Sequence, residues 1–252
     1  SDILSIASKF KKPPVAITIL FQLLSISFSK NNKQELNTNE GERLSSSLES
    51  MGTTFIKLGQ FLATRPDIIG ENLSKQLEKL QDKLPPFPLS DTKTIIKSDL
   101  GDQMFSSILN ISEPVAAASI AQVHKAQIND NGTIKDVAIK ILRPEIKKIF
   151  NDEIDALMFF AFILESIVKK TKRLKLVEVT FLLKQITNHE MDLRFEAAAA
   201  NEYAENTKND IGFKVPNIYW NFTSENVMTL DWIDGNSIRE TEMLESQNID
   251  TG

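Results

Sequence analysis

Residues 113–142, "EPVAAASIAQVHKAQINDNGTIKDVAIKIL", decide the fold class of this chain. Apolar and small residues fill both outer parts of the segment, and Asn131-Gly132 lies between them. An Asn-Gly pair between two such runs is typical of a tight turn joining antiparallel strands. We therefore predict two strands, at residues 113–128 and 135–142, joined by a hairpin turn at residues 129–132.

The segments on either side are predicted to be mainly helical, because apolar residues recur there at helical spacing. The predicted helices are residues 44–84, residues 90–101 with an N-cap at Ser90 and an end at Gly101, and residues 147–205 with a break near "KKTKRLK". A second strand pair, with a Ser-Glu-Asn turn, is predicted at residues 213–235. Helices followed by separate strand pairs indicate an α+β class rather than alternating βαβ units.

The composition is that of an ordinary globular chain, and it excludes several classes of function. Of the 252 residues, 41% are hydrophobic and 25% are charged. The net charge of -5 and the pI near 5.3 argue against nucleic-acid binding. Cysteine is absent, which excludes disulfides, thiolate nucleophiles and zinc–thiolate sites. With only His124 and His189, a multi-histidine metal site is not expected.

The N-terminal segment allows three interpretations. Residues 13–29 contain no charged side chain and follow Lys9, Lys11 and Lys12. They are interpreted as a helix packed in the protein, an amphipathic helix at a membrane surface, or a short signal-type anchor. Because the sequence begins with Ser and stops after "NIDTG", we expect a fragment of a longer protein.

The tetrapeptide "VAIK", residues 137–140, matches a motif of protein kinases, which hold ATP phosphates with a lysine on such a strand. In kinases a G-x-G-x-x-G-x-V loop precedes that lysine. Here the same four offsets are occupied by Ala116, Ala118, Ala121 and Val123. Alanine has a narrower range of backbone conformations than glycine, so we expect a stiffer loop. The alternative interpretation is an alanine-rich strand edge beside a solvated lysine.

A second unusual segment is "GTTFIKLGQFLATRPD", residues 52–67, which has a polar stripe on an otherwise apolar helix. The stripe consists of Thr53, Lys57, Gln60 and Thr64. Arg65-Pro66 is predicted to end the helix.

Four segments, "FIKLGQ", "AAASIAQVH", "VAIK" and "HEMDLRFEAAA", resemble in this order the UbiB/ABC1/ADCK/COQ8 family of atypical kinase-like proteins. That family is linked to ubiquinone biosynthesis, and the resemblance extends over residues 44–235. It implies a protein-kinase-like N-lobe with a helical N-terminal extension and a helical insertion. The C-lobe would be largely absent from these residues.

The resemblance also implies roles for individual residues. Lys140 would contact nucleotide phosphates and pair with Glu196, and these two are the expected catalytic residues. The expected nucleotide-binding residues lie in the Ala-rich loop (residues 116–119), just after this loop, in the VAIK segment and in a hinge. In that order they are Ala116, Ala117, Ala118 and Ser119; Val123; Lys140; and Leu230, Asp231 and Ile233. Leu230 would be the gatekeeper, and residues 231–233 would present backbone to adenine. A buried strand and turn is the alternative interpretation of the hinge.

The resemblance further implies a regulatory element that closes the site against protein substrates. It combines the K-x-G-Q motif (Lys57, Gly59 and Gln60) with the E-x-D motif (Glu190 and Asp192). Spacing alone places only Asp192 and Glu196 on one helix face, with Glu190 off that face. By sequence distance alone, Glu153 or Glu165 would be the better partner for Lys140.

The sequence contains no H-x-D or D-F-G motif, so the catalytic-loop and metal-binding residues are expected downstream. We expect no metal site in this chain, Mg²⁺ in the full-length protein, and weak or absent catalysis by residues 1–252 alone. The expected domains are residues 1–43 (helix and polar linker), 44–110 (helical extension), 111–235 (kinase-like N-lobe) and 236–252 (start of the C-lobe).

By resemblance, the function is that of an ATP-binding atypical kinase or ATPase supporting ubiquinone biosynthesis. The alternative is a non-catalytic, nucleotide-sensing scaffold. The implied partners are ATP or ADP, a prenylated quinone precursor or the enzymes of ubiquinone biosynthesis, and the cytoplasmic face of the bacterial inner membrane through the absent C-terminal part. No G-x-G-x-x-G lies between a strand and a helix, so a flavin or NAD hydroxylase has no support.

Overall fold

A computed structural model describes residues 45–49, 51–78, 80, 84–167 and 169–235. The predictions for residues 1–43 and 236–252 lie outside the described residues. The elements in chain order are α1 (Thr53–Ala63), α2 (Pro66–Ile69), α3 (Glu71–Leu77), α4 (Leu89–Ser106), β1 (Ile108–Ala117), β2 (Ala121–Asp130), β3 (Thr133–Leu142), α5 (Ile146–Ile167), a 3-10 helix (Lys169–Leu174), α6 (Leu176–Glu190), α7 (Leu193–Asn206), a second 3-10 helix (Trp220–Phe222) and β4 (Val227–Asp231). The predicted α+β class is confirmed.

The four strands form one antiparallel sheet in the order β1-β2-β3-β4. β2 and β3 pair along their whole length, down to Asp130 opposite Thr133. Asn131 and Gly132 form the turn between them with φ angles of 51° and 87°, as the Asn-Gly pair predicts. This turn fixes the register that places Lys140 opposite Val123.

The prediction of a single strand at residues 113–128 is wrong, because the segment contains a second hairpin. β1 ends at Ala117 and β2 begins at Ala121. The N–H of Ala118 donates to the carbonyl of Ala121 at 2.8 Å. No glycine, proline or asparagine marks this β1–β2 turn (residues 118–120) in the sequence. Its carbonyl groups are bound by residues distant in sequence, which a local pattern does not reveal.

Two further element boundaries differ from the predictions. α4 has Pro88 rather than Ser90 at its N-cap, and it continues past Gly101, where a φ of 79° marks a kink. Glycine adopts this conformation without steric cost, so the helix resumes after the kink. The predicted strand pair at residues 213–235 is reduced to β4 and an isolated bridge between Ile218 and Leu230.

The sheet separates two apolar clusters. On one face, Val137, Ile139 and Ile141 of β3 pack with buried residues of β2, β4 and α4. Directly opposed residues of an antiparallel pair share a face, so Val123, Lys140 and Met228 point to the other side. There the second cluster joins the end of the sheet to α1, α3, α5, α6 and α7.

A buried polar network ties the proline-rich segment before α4 to the sheet. His124 Nδ1 lies 2.8 Å from the carbonyl oxygen of Ser112, so this nitrogen donates and Nε2 accepts from Gln122 at 2.9 Å. Gln122 also accepts from the N–H of Phe87 at 3.0 Å and donates to its carbonyl at 3.2 Å. Both side chains are almost completely buried, and the bonds therefore fix Phe87 beside the start of β2.

The state of His124 predicts how stability depends on pH. Burial lowers the pKa of His124 below the usual 6.5, so the folded chain keeps it neutral where the unfolded chain protonates it. Stability should therefore fall as the pH drops below about 6.5 and should not depend on this group above it. We expect the free energy of unfolding, measured in urea, to decrease by about 1 kcal/mol between about pH 7.5 and pH 5.5. The His124→Asn variant should lack this component, and equal pH dependence in both proteins would contradict the assignment.

Gly59 predicts a packing defect on substitution. A Cβ at this position would lie 2.2 Å from Leu80 Cδ1 and 3.0 Å from Leu48 Cδ1. Both leucines are buried, so Gly59→Ala should lower the free energy of unfolding by about 1–3 kcal/mol, despite the higher helix propensity of alanine. Gly235→Ala is the matched control, because a Cβ there meets nothing within 4 Å. A Gly59→Ala chain as stable as the parent would show that Leu80 moves aside without cost.

Candidate nucleotide-facing site

The polar stripe of α1 contacts two other elements of the site. The hydroxyl of Thr53 donates to the carbonyl of Ser119 at 3.1 Å, which joins the first turn of α1 to the β1–β2 turn. One turn further along, Lys57 Nζ lies 2.8 Å from a carboxylate oxygen of Glu190 at the end of α6. The Lys57 side chain is only 14% exposed, so a carboxylate partner offsets the cost of burying its charge. Gln60 is half-buried on the same stripe.

Lys140 forms the second ion pair of the site. Its Nζ lies 2.7 Å and 2.6 Å from the two carboxylate oxygens of Glu196, which belongs to the first turn of α7. The other candidates for this pairing have different partners or positions. Glu165 accepts from the N–H of Val177 at 3.1 Å, and Glu153 is half-buried on α5, where burial raises its pKa.

The residues beside Lys140 form a half-buried, mostly apolar surface. Lys125 on β2, Ala138 on β3 and Leu230 on β4 lie opposite one another, and Val123 lies opposite Lys140. These residues therefore share one face of the sheet with Lys140. Small and apolar side chains next to a fixed charge are the features that a slot for a flat ring bearing phosphates requires. Ala138 was not singled out from the sequence.

Asp192 is a helix cap rather than part of a continuous helix. It has extended backbone angles (φ -125°, ψ 98°), and its carboxylate accepts from the N–H of Arg194. The helical segment predicted over residues 147–205 is therefore interrupted a second time, because α6 ends at Glu190 and Asp192 caps α7. The guanidinium of Arg194 also bonds this carboxylate at 2.9 Å and 2.7 Å, and its hydrogen bonds lower the pKa of Asp192.

The Ala-rich loop lies at the end of the β1–β2 hairpin. Ala116 is exposed and pairs with Val123, whereas Ala117 and Ala118 are half-buried. Ser119 is 0% exposed, so its side chain faces the interior rather than the surface beside Lys140. The nucleotide contact expected for Ser119 stays a prediction.

The expected hinge is held on the opposite face of the sheet. The Asp231 carboxylate accepts from the Tyr219 hydroxyl at 2.6 Å and from the Asn217 side-chain amide at 2.6 Å. The N–H of Asp231 donates to the carbonyl of Asn217, so this donor is not directed at a ligand. Beyond it, Lys125 Nζ lies 4.7 Å from the ring centroid of Trp232, and Ile233 is exposed.

Sequence reasoning missed Arg143 and Thr53 as residues that bind the β1–β2 turn. Both Nε and Nη2 of Arg143 donate to the carbonyl of Ala118, at 3.0 Å and 2.8 Å. The available signal was the position of Arg143, three residues after Lys140 at the end of β3. Thr53 belonged to the polar stripe of α1, but its contact with Ser119 spans 66 residues of sequence.

The described residues contain neither a metal-binding cluster nor a membrane-spanning helix. Among residues 45–235, apart from the gaps given above, no three His, Asp or Glu side chains are grouped so that they could hold a metal ion. Within the same part of the chain, every helix is too short or too polar to cross a bilayer.

A model of the ABC1 atypical kinase-like domain matches residues 79–252. The chain belongs to the ABC1 atypical kinase-like family. This finding confirms the resemblance stated from the motifs, and it assigns no role to any single residue.

Several curated relatives of this ABC1-family chain are named "Probable protein kinase UbiB". It is 35% identical over 210 residues to "Probable protein kinase UbiB" of Marinobacter nauticus and 36% identical over 213 residues to that of Cellvibrio japonicus. Each match includes 83% of this chain and 38% of the relative. The protein of the same name from Pseudomonas aeruginosa is 32% identical over 221 residues, with 86% and 40% covered. The chain thus spans about two fifths of the length of these relatives.

Among solved structures, the complex of Rv3197 with erythromycin from Mycobacterium tuberculosis matches 89% of this chain and 53% of its own chain, at 26% identity and a TM-score of 0.47.

The Lys57–Glu190 pair predicts a measurable coupling between α1 and α6 of this ABC1-family chain. A double-mutant cycle with Lys57→Met and Glu190→Gln should give a coupling free energy of about 0.5–1.5 kcal/mol in urea unfolding, because Lys57 is largely buried. The same cycle on Lys175 and Glu178, whose side chains are 65% and 68% exposed, should give about 0–0.5 kcal/mol. Equal coupling in the two cycles would contradict a special role for the pair formed by the largely buried Lys57 and the more exposed Glu190.

Proposed function

We propose that this chain is the nucleotide-facing part of an ATP-binding atypical kinase or ATPase. The observation that supports it most is the ion pair between Lys140 and Glu196, next to the half-buried surface of Val123, Ala138 and Leu230. A carboxylate that accepts two contacts from Lys140 holds its Nζ in one place. A positive charge fixed in this way is what phosphate groups need for charge-assisted hydrogen bonds.

In this proposal the nucleotide is ATP or ADP. Its ring would lie against Val123, Ala138 and Leu230, and its phosphates would lie between Lys140 and the Ala-rich loop. The hinge at residues 231–233 would contact the ring through backbone groups other than the N–H groups of Asp231 and Trp232, which donate to carbonyl groups of the protein. Mg²⁺ would neutralise charge on the phosphates, and by resemblance the residues that hold it would lie outside residues 1–252. Residues 1–252 alone would then have weak or absent turnover.

We propose a regulatory role for the contacts of α1. The K-x-G-Q residues Lys57, Gly59 and Gln60 and the E-x-D residues Glu190 and Asp192 would close the site against protein substrates. The tight packing at Gly59 and the Lys57–Glu190 pair support this, because both keep α1 at a fixed distance from its neighbours.

For the whole protein we propose a role in ubiquinone biosynthesis at the cytoplasmic face of a bacterial inner membrane. The basis is the resemblance to the UbiB family. The coupled step would handle a prenylated quinone precursor or organise the enzymes that act on it.

Nucleotide binding by the folded chain tests the proposal. We expect saturable binding of a fluorescent ADP or ATP analogue, with and without Mg²⁺, that competes with unlabelled ATP. Lys140→Ala should weaken it about tenfold or more, because a charge-assisted contact is lost. Lys97→Ala is the matched control, since Lys97 is an exposed lysine on α4, behind the sheet. No binding at millimolar nucleotide, or equal affinity in the Lys140→Ala chain, would refute the proposed site.

A nucleotide-sensing scaffold is the second candidate function. The hydrogen bond from Thr53 to the Ser119 carbonyl favours it, because α1 would respond directly to a ligand under the Ala-rich loop. In the full-length protein, Lys140→Ala separates the two candidates. Loss of the pathway with normal partner binding favours catalysis, whereas joint loss of nucleotide binding and partner binding favours the scaffold.

A further inference from the structure

The β1–β2 turn is bound through three consecutive carbonyl groups. Ala118 accepts from Nε and Nη2 of Arg143 at 3.0 Å and 2.8 Å, and Ser119 accepts from the Thr53 hydroxyl at 3.1 Å. Ile120 accepts from the backbone N–H of Arg143 at 2.9 Å. All three acceptors of the turn are therefore engaged by donors from the end of β3 and the start of α1.

The guanidinium of Arg143 also contacts the aromatic ring of Phe87. Its Cζ lies 5.8 Å from the ring centroid of Phe87, within range of a cation–π contact. Phe87 is fixed in turn by the two hydrogen bonds between its backbone and Gln122, the second residue of β2. Arg143 thus lies between the turn and the proline-rich segment, and it is half-buried there.

These contacts would reduce the electrostatic repulsion between the turn and a phosphate group. Carbonyl oxygens carry partial negative charge, so free carbonyls in a loop over phosphates would repel them. In glycine-rich phosphate loops the amide groups face the ligand instead. Donors that bind the carbonyls of residues 118–120 from the protein side keep these oxygens turned inward, and Arg143 adds a positive charge beside the turn.

We propose that Arg143 is a positioning residue that sets the Ala-rich loop for nucleotide, and that Thr53 couples the loop to α1. The proposal rests on the nucleotide-binding function proposed above. In this proposal α1, the helix with the K-x-G-Q motif, contacts the loop over the phosphates directly through Thr53. This contact is separate from the Lys57–Glu190 pair.

The chemistry favours arginine over lysine at this position. Two N–H groups of one planar guanidinium reach the Ala118 oxygen while the plane stays beside the Phe87 ring. A lysine ammonium is a compact point charge that cannot satisfy both contacts in this geometry. Arg143→Lys should therefore behave like Arg143→Ala rather than like the parent.

The test combines alanine-methyl NMR spectra of the whole chain with binding of a fluorescent ADP analogue. In Arg143→Ala and Arg143→Lys we expect the methyl signals of Ala117 and Ala118 to shift or broaden and the affinity to fall about tenfold. Millimolar ethylguanidinium should restore both properties to Arg143→Ala, whereas ethylammonium should not. A general loss of stability would not be repaired by a guanidinium ion. Arg173→Ala, at an exposed arginine far along the chain, should match the parent.

Thr53→Val keeps the shape of the side chain and removes only the hydroxyl, so it tests the link to α1 even if Arg143→Ala fails to fold. We expect a shift of the Ala118 and Ala121 methyl signals and a two- to fivefold loss of affinity. Unchanged methyl signals in Arg143→Lys and Thr53→Val would overturn the inference, even with normal nucleotide binding by the parent. If the parent binds no nucleotide but its methyl signals depend on Arg143, the proposed function fails and the positioning of the loop by Arg143 stands.

Discussion

The ion pair between Lys140 and Glu196 is the constraint on which the rest of the site depends. Lys140 lies directly opposite Val123 and Met228, and its side chain is only 25% exposed, so a carboxylate from another element stabilises its charge. That partner is 56 residues away in sequence. The intervening chain must leave the end of β3, pass through α5 and α6, and return with the first turn of α7 over the strand. The helical insertion is therefore needed for the pair to form.

The break at Met191 and Asp192 lets two nearby glutamates reach different lysines. In a continuous helix, Glu190 and Glu196 would point about 120° apart on one rod. Instead α6 ends at Glu190 beside Lys57, and α7 begins after Asp192 so that Glu196 faces Lys140. The Asp192 carboxylate caps α7 and binds Arg194, which fixes the angle at which the second helix starts. The short capped break between α6 and α7 thus places one carboxylate beside Lys57 and another beside Lys140.

The features that sequence could predict are those with local causes. The Asn-Gly turn, the strand that includes Lys140 and the end of α1 before Pro66 follow from the conformational limits of single residues. The β1–β2 turn could not be predicted from pattern, because it contains no turn residue and is bound by Arg143 and Thr53. Glu196 was likewise chosen through a family resemblance, since sequence distance favoured Glu153 or Glu165. Contacts between residues that lie 25 to 66 positions apart produce no periodic pattern in the sequence.

The alanines of the loop are compatible with this way of holding the turn. Among the described non-glycine residues, positive φ occurs at Asn131, Glu145 and Lys175, and none of these lies in the Ala-rich loop. Alanine therefore costs no backbone strain there, and it leaves fewer unfolded conformations to lose than glycine would. A glycine-rich loop adapts to its ligand and loses conformational entropy when the ligand binds. A turn whose three carbonyl groups are all hydrogen-bonded is already ordered before binding. Such a loop gives up adaptability, and the hydrogen bond from Thr53 to the Ser119 carbonyl ties its position to that of α1.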